Sequence, residues 1–504
     1  MPSNIICTNN VSHADITATV TPEIELIQIP NAKTKQDDPF LVAFAEPFDA
    51  ENPKDWPTGR KWAVTDILSA TGFNRIMVST IMAPALSIIA KEFDMTSAES
   101  AMALSIYLLA TAFGPLVIGP LSEVYGRKPI LHASNIWFLV WNIACGFANS
   151  KELFIASRFL AGFGASSIYA LASGVLGDVW RPEQRSRSLG VYLLIPLLGA
   201  AVGPIIGGFM AGHTTWRWMF WATSIFQAVM VLASFSAFHE TYEPCILRSR
   251  AERLRQETGN QQYYTEHERL HSNNSPYFAL GRALMRPLRL LAFHPIIQIA
   301  SVISAFYYGI LYIVLSTFSD IWIKQYGQSV EISGLHYIAC ALGEIVGSQI
   351  GAKAMDHLYR RHSYRSNAER VPESRIYLLF PGALLGPLGL FLYGWAAQNT
   401  LHWGVVDIGI FISMLGMQMT GLPLQAYVME SYPEQTASAG AASQFMRSLT
   451  AFIFPLFAPR MYEVLGYGWG NSTIAFIGLV FGLPAPLALI YFGATLRAKP
   501  RPSF

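Results

Sequence analysis

The sequence predicts an all-α polytopic membrane protein with twelve transmembrane helices in two six-helix bundles. Three observations carry this. Of its 504 residues, 52% are hydrophobic and only 13% charged, about half the charged share of a soluble domain. Such a composition cannot clothe a water-facing surface of this size. Twelve segments each approach the roughly 20 mostly apolar residues that a helix needs to cross a bilayer. A long polar stretch, 238–292, separates the sixth from the seventh.

Taken in order, residues 1–55 form a polar tail, expected to be disordered, without a cleavable signal at its start. Residues 56–237 hold the first bundle, with spans at 62–90, 100–121, 130–148, 153–176, 186–210 and 216–237. Residues 238–292 form a central loop. The second bundle, 293–495, has spans at 293–319, 333–355, 375–397, 403–429, 438–461 and 470–494, and 496–504 form a second tail. Glycine and proline inside several spans suit a membrane bundle, where they permit close packing and local kinks. A short echo supports a duplicated unit: Pro182-Glu-Gln184 follows span four and Pro433-Glu-Gln435 follows span ten, 251 residues on.

Charge placement orients the chain. The 238–292 stretch carries eight Arg against six Glu, and the loops after spans two and four contain Arg127, Lys128, Arg181, Arg185 and Arg187. All fall on one side if the spans alternate. The positive-inside rule therefore predicts that this side and both termini are cytoplasmic. The four cysteines match neither a zinc site nor a disulfide framework, and Cys145 and Cys340 read as small buried hydrophobes. The eleven histidines are dispersed. A membrane-embedded enzyme would cluster His, Asp or Cys at ligand spacing, so no catalytic residue, metal or cofactor is expected. No Walker-type phosphate loop is present, which argues against ATP as the energy source.

Several polar groups sit where lipid would not tolerate them: Asn74 and Arg75 near the middle of span one, Glu344 in span eight, Asp407 early in span ten and Glu430 at its end. A bare charge at mid-membrane costs about 2.5–3.5 kcal/mol, so these groups must face a cavity or pair. Glu344 and Arg75 are the expected partners, with Glu344 as proton carrier; Asp407 and Glu430 are further candidates for proton coupling or gating. Arg158, a few residues inside span four, is either paired or hydrated there or snorkels to the surface. Phe113, Tyr169 and Gln227 from the first half, and Tyr307, Tyr308, Gln418 and Gln425 from the second, are candidates with Asn74 for a wide amphipathic substrate cavity.

Two motifs carry a resemblance. Gly119-Pro-Leu-Ser-Glu123-Val-Tyr-Gly126-Arg127-Lys128 resembles the loop between spans two and three of the major facilitator superfamily, with Glu123 in the place of an aspartate. The resemblance implies a conformational latch of Glu123, Arg127 and Lys128, with Asp178 as the partner of Arg127. Glu430 occupies a related place after span ten, as a latch or a proton site. In span five, Gly199-Ala-Ala-Val-Gly203-Pro204-Ile-Ile-Gly207-Gly208 makes a groove for a partner helix. It is similar to the motif characteristic of the superfamily's antiporters. Arg158 with Gly162 and Gly164 is similar to the superfamily's span-four pattern, and the resemblance ties that arginine to proton transfer. Arg447 and the segments 51–57, 216–221, 239–244, 455–458 and 465–470 resemble the fungal twelve-span drug:proton antiporters. The resemblance, over about residues 50–495, implies export of small organic compounds by alternating access, with an uptake symporter as the rival reading. The implied partners are a small organic substrate, protons and membrane lipids, with no nucleic acid. The chain is expected to act as a monomer, in the plasma membrane or alternatively the vacuolar membrane.

Overall fold

The computed structural model describes residues 38–271, 276–366, 372–432 and 436–498. Pro433-Glu-Gln435, the second copy of the internal echo, lies outside them, as do Cys7 and most of both tails. Spans 1 to 6 are Thr58–Glu92, Ser97–Tyr125, Arg127–Phe147, Lys151–Val179, Pro182–His213 and Arg217–Ala237. Spans 7 to 10 are Pro295–Gln325, Val330–Ser366, Arg375–Gln398 and Trp403–Ser431. The last apolar stretch, Ser438–Gly493, is 56 residues long. Straight, it would measure about 84 Å at 1.5 Å per residue, far more than a ~30 Å hydrocarbon core. Gly466, at φ 70°, breaks it into spans 11 and 12; positive φ is strained for any residue with a Cβ.

Local chemistry sets the helix ends. Thr96 and Glu99 close a capping box at the start of span 2, and the Ser150 hydroxyl accepts from the Leu153 amide at the start of span 4. Spans 1 and 5, 3 and 4, and 3 and 6 pack together in the first half, and spans 9 and 10, 7 and 11, and 8 and 10 in the second. The halves meet chiefly where span 2 packs on span 11 and span 5 on span 8. Exposed side chains such as Leu232, Leu388, Val480 and Phe492 coat the outside, as expected where the solvent is lipid.

One face, here the loop face, carries the 238–292 segment; the other is the far face. The central loop contains helices Glu243–Thr258, Glu266–His271 and Pro276–Phe293. Residues 38–55 correct the expectation of a disordered tail. The Val42 amide donates to the Tyr264 carbonyl at 2.9 Å, Arg250 pairs with Asp49 at 2.8 Å, and Val42 packs with Leu247 and Ala251. Paired acids and a small apolar cluster hold this part of the tail to the loop. Burial alone would raise the Asp49 carboxyl, but the Arg250 guanidinium and the Ala45 and Glu51 amides hold it below its ordinary range.

Candidate functional site

A cavity of about 200 Å³ lies between the halves. Ser79 and Thr80 of span 1 and Tyr169 of span 4 face Tyr308, Tyr312, Tyr337, Cys340, Glu344, Gln418 and Arg447 of the second half. Ser79 and Tyr312 hydroxyls meet across it at 3.4 Å. A second lobe, about 160 Å³, extends into the loop-side part of the second half and adds Tyr307, Met414, Met417, Gln425 and Gln444. Tyr308, Glu344, Gln418 and Arg447 border both lobes.

Glu344 is 8% exposed, and its carboxylate makes no ion pair or hydrogen bond among the described residues. Arg447 stacks its guanidinium 4.3 Å over the Tyr308 ring and likewise has no carboxylate partner there. An unpaired buried charge is costly. Two of opposite sign on one cavity wall are available to a proton, water or a polar cargo. The aromatic, methionine and amide walls suit a small amphipathic molecule.

Arg75 is not the partner of Glu344. It is 1% exposed inside the first half, where its guanidinium donates to Ser167 and Asn135 side chains and to the Ala165 carbonyl at 3.4 Å. The spacing of charges along two spans could not show that span 1 turns Arg75 toward spans 3 and 4. Nor do Asn74 and Gln227 line the cavity: both are fully buried, bonded to each other at 3.1 Å, and Gln227 continues to Asn135. Phe113 lies on span 2 against Phe445 of span 11, ring centres 5.6 Å apart, and borders neither lobe. Arg158 does not snorkel. It is fully buried, donates to the Val78 carbonyl at 3.0 Å and to the Ala103 and Leu104 carbonyls at 3.4 Å, and lies beside the Tyr107 ring. Tyr169, Tyr307, Tyr308, Gln418 and Gln425 do line the cavity.

On the loop face, Arg127 donates to Asp178 at 3.4 Å and to the Ser122 hydroxyl at 2.5 Å, and sits 4.9 Å from the Tyr242 ring centre. Glu240 supplies what the sequence reading lacked. Its carboxylate accepts from the backbone amides of Arg127 at 2.9 Å and Lys128 at 3.1 Å, capping span 3, whose first turn has no side-chain cap of its own. Lys128 thus contributes its backbone to this cluster, and Glu123 is exposed at its edge, within electrostatic reach of Tyr242. The second half repeats the arrangement. Arg375, at the start of span 9, grips Glu430, at the end of span 10, through both carboxylate oxygens. Glu430 therefore stands in a loop-face ion pair, away from the cavity. Asp407 lies near the far face, 2.8 Å from His336.

The span 5 glycines serve two neighbours. A Cβ on Gly199, Gly203 or Gly207 would strike span 1 at Phe73, Met77 and Ile81 respectively. On the adjoining face, one on Gly208 would lie 3.1 Å from Gly334 of span 8, and Gly334 in turn abuts the Pro204 carbonyl. Span 5 thus packs backbone to backbone both within its half and across to the other. Beside Glu240, sequence reasoning gave no site role to Arg375, His336 or Arg447, the last of which it noted only for its family resemblance. A charge inside an apolar run, the signal used for Arg75, also marks Arg447.

Two helical bundles around a shared cavity with charged groups in its wall define a membrane transporter of the alternating two-bundle type rather than an enzyme. The chain belongs to the Major Facilitator Superfamily, whose model matches residues 68–455. It is 55% identical over 84% of its length to the whole of the probable efflux pump mfs2 of Aspergillus flavus. It is 41% identical to the efflux pump vrtL of Penicillium aethiopicum, covering 92% of this chain and 91% of that one. Among solved structures, the partially occluded inward-open xylose transporter XylE of E. coli aligns with a TM-score of 0.62, over 86% of this chain and 98% of that one, at 15% identity. The last likeness concerns the fold alone.

Proposed function

We propose that this chain is a proton-coupled antiporter that exports small amphipathic organic compounds across the plasma membrane, with the loop face and both termini in the cytoplasm. The observation that carries the reading is Glu344: a buried carboxylate with no salt bridge or hydrogen bond among the described residues, in the field of Arg447, in the wall of the cavity that both halves share. Protonated, it is neutral and tolerable there; ionised, it attracts a hydrogen-bond donor or cation from the cargo. One group thus binds a proton or engages cargo, which is the exchange that antiport requires. Arg447 supplies the complementary donor for an acceptor on the same molecule. Efflux in relatives named as pumps and the basic loop face support the direction and the orientation. The Arg127–Asp178 and Arg375–Glu430 pairs act as matched loop-face latches.

The test is Glu344→Gln in sealed inverted vesicles with an imposed pH difference and a panel of amphipathic compounds. Uphill transport should be lost while exchange of substrate for substrate persists. Uphill transport at the normal proton-to-substrate ratio would remove Glu344 from the mechanism. Movement of cargo together with protons would replace export with uptake.

A further inference from the structure

We infer that His336 and Asp407 form a second proton site, on the far face, from which Glu344 is loaded. This rests on reading Glu344 as the proton carrier. Three features of the geometry converge on it. First, both imidazole nitrogens are engaged: Nδ1 lies 2.8 Å from Asp407 Oδ2, and Nε2 lies 2.8 Å from the Gln328 side-chain amide. With Nδ1–H donating to the carboxylate, the amide oxygen accepts from a protonated Nε2, and the amide turned over donates to a bare one. The site can therefore gain and lose a proton without stranding a buried polar group. Second, Trp322 stacks flat on the His336 ring, centres 3.6 Å apart at 9°. Trp322 is fully buried and sits in a π-helical turn, Ile321–Gln325, that ends span 7. The stacked indole fixes the plane of the ring, and π turns recur at functional sites. Third, the remaining Asp407 oxygen, Oδ1, is buried without a hydrogen-bond partner, so the dyad keeps an open acceptor.

Its position sets the site one helix turn beyond the cavity lining, which begins on this face of span 8 at Cys340. His336, Cys340 and Glu344 fall at i, i+4 and i+8 on one face of span 8, about 12 Å from first to last. Cys340 and Glu344 both line the cavity. A proton taken up at His336 passes to water in the cavity and then to the Glu344 carboxylate: the imidazolium N–H bond breaks, the water accepts one proton and gives up another, a carboxyl O–H bond forms, and the ring is left neutral for the next. The other titratable groups nearby are Cys340 and Tyr326, both within electrostatic reach of Asp407, and Lys324, Glu331 and His402. Lys324 pairs with Asp320 at 2.8 Å, and Glu331 lies 3.7 Å from His213. The Tyr326 hydroxyl donates to the Leu401 carbonyl, and His402 lies against Trp403.

The experiment uses the full chain in sealed vesicles of phosphatidylcholine and phosphatidylglycerol, with no substrate added. Infrared carboxyl absorption is followed after an acid step applied to the far face. The Glu344 signal is the protonated-carboxyl band that E344Q lacks. In H336Q this band should form about tenfold more slowly or worse and reach the same final amplitude. Asp407→Asn, which keeps the ring and removes its anion, should slow it too. In wild type the Trp322 emission, taken as the difference from W322F, should titrate with pH, and in H336Q it should not. A normal rate in either dyad variant, or a Trp322 titration that survives in H336Q, overturns the proposal for the dyad alone. A band that persists in E344Q removes Glu344 as carrier and the relay with it.

Discussion

The two halves share an architecture and dispose of buried charge in opposite ways. In the first, Arg75 and Arg158 are wrapped in carbonyl, hydroxyl and amide oxygens, and Asn74, Gln227, Asn135 and Asn142 knit the same spans together. Those cations are spent on holding helices in place. In the second, Glu344 and Arg447 face the cavity without a salt bridge among the described residues, and Asp407 meets His336. The first half therefore reads as the rigid wall and the second as the half that changes charge. An ion satisfied by fixed backbone oxygens cannot change state cheaply, whereas one that faces a cavity can.

The sharpest way to break this contrast is to delete one buried charge from each half. Arg158→Met should lose about 3 kcal/mol or more, because three carbonyls lose their donor in a dry interior. The fall would be read as reduced thermal stability of purified protein. Glu344→Gln should leave that midpoint unchanged or slightly raised while coupling disappears. Equal losses in the two variants would end the distinction.

A smaller effect tests the rigid wall itself. Gly203→Leu places side-chain bulk against the Met77 carbonyl and the Thr80 hydroxyl. Overpacking of this kind costs about 1–3 kcal/mol. Membrane insertion should persist and transport should fail; normal transport rates would show that span 5 does not need its close approach to span 1.

Smaller still are the latches, where the halves should behave alike. Reversing Arg127 or Arg375 to Glu should shift the balance of inward and outward states rather than unfold the protein. Distances between fluorophores on the two halves would report that shift. The paired changes D178R and E430R should each restore it. Restoration in one half only would make the repeated geometry a coincidence.

The least effect belongs to the docked tail. The Asp49 carboxyl titrates below its ordinary value of 3.8 in the folded chain. Its contribution is therefore complete above that pH and is lost as pH falls through the lowered value. The contribution should be below about 1 kcal/mol. Hydrogen exchange at the Val42 and Tyr264 amides should rise on acidification through this range, and in Asp49→Asn it should already be high at neutral pH.

Much of this molecule was legible in the chain. Hydropathy gave twelve spans because a bilayer imposes length and apolarity residue by residue, without reference to partners. The span 5 glycines could be read because small residues at i, i+4 and i+8 leave a groove on one helix face; the Arg127–Asp178 pair came from the resemblance to the superfamily. Tyr308, Gln418 and Glu344 could be nominated because polar groups in apolar runs need a cavity. Linear order nevertheless failed at the pairing step. It joined Glu344 to Arg75, placed Asn74 and Gln227 in the cavity, and missed Glu240, which caps a helix 112 residues before it.

What the sequence determined by itself is the membrane, the count and approximate ends of the helices, and the presence of charges too costly to leave unattended. Which way each charged side chain turns was decided only by tertiary packing. A helix repeats every 3.6 residues, so a shift of one position rotates a side chain by about 100° and can carry it from the cavity into the bundle. Arg75 went to the bundle and Glu344 to the cavity because their neighbours on other spans offer oxygens to the first and open space to the second.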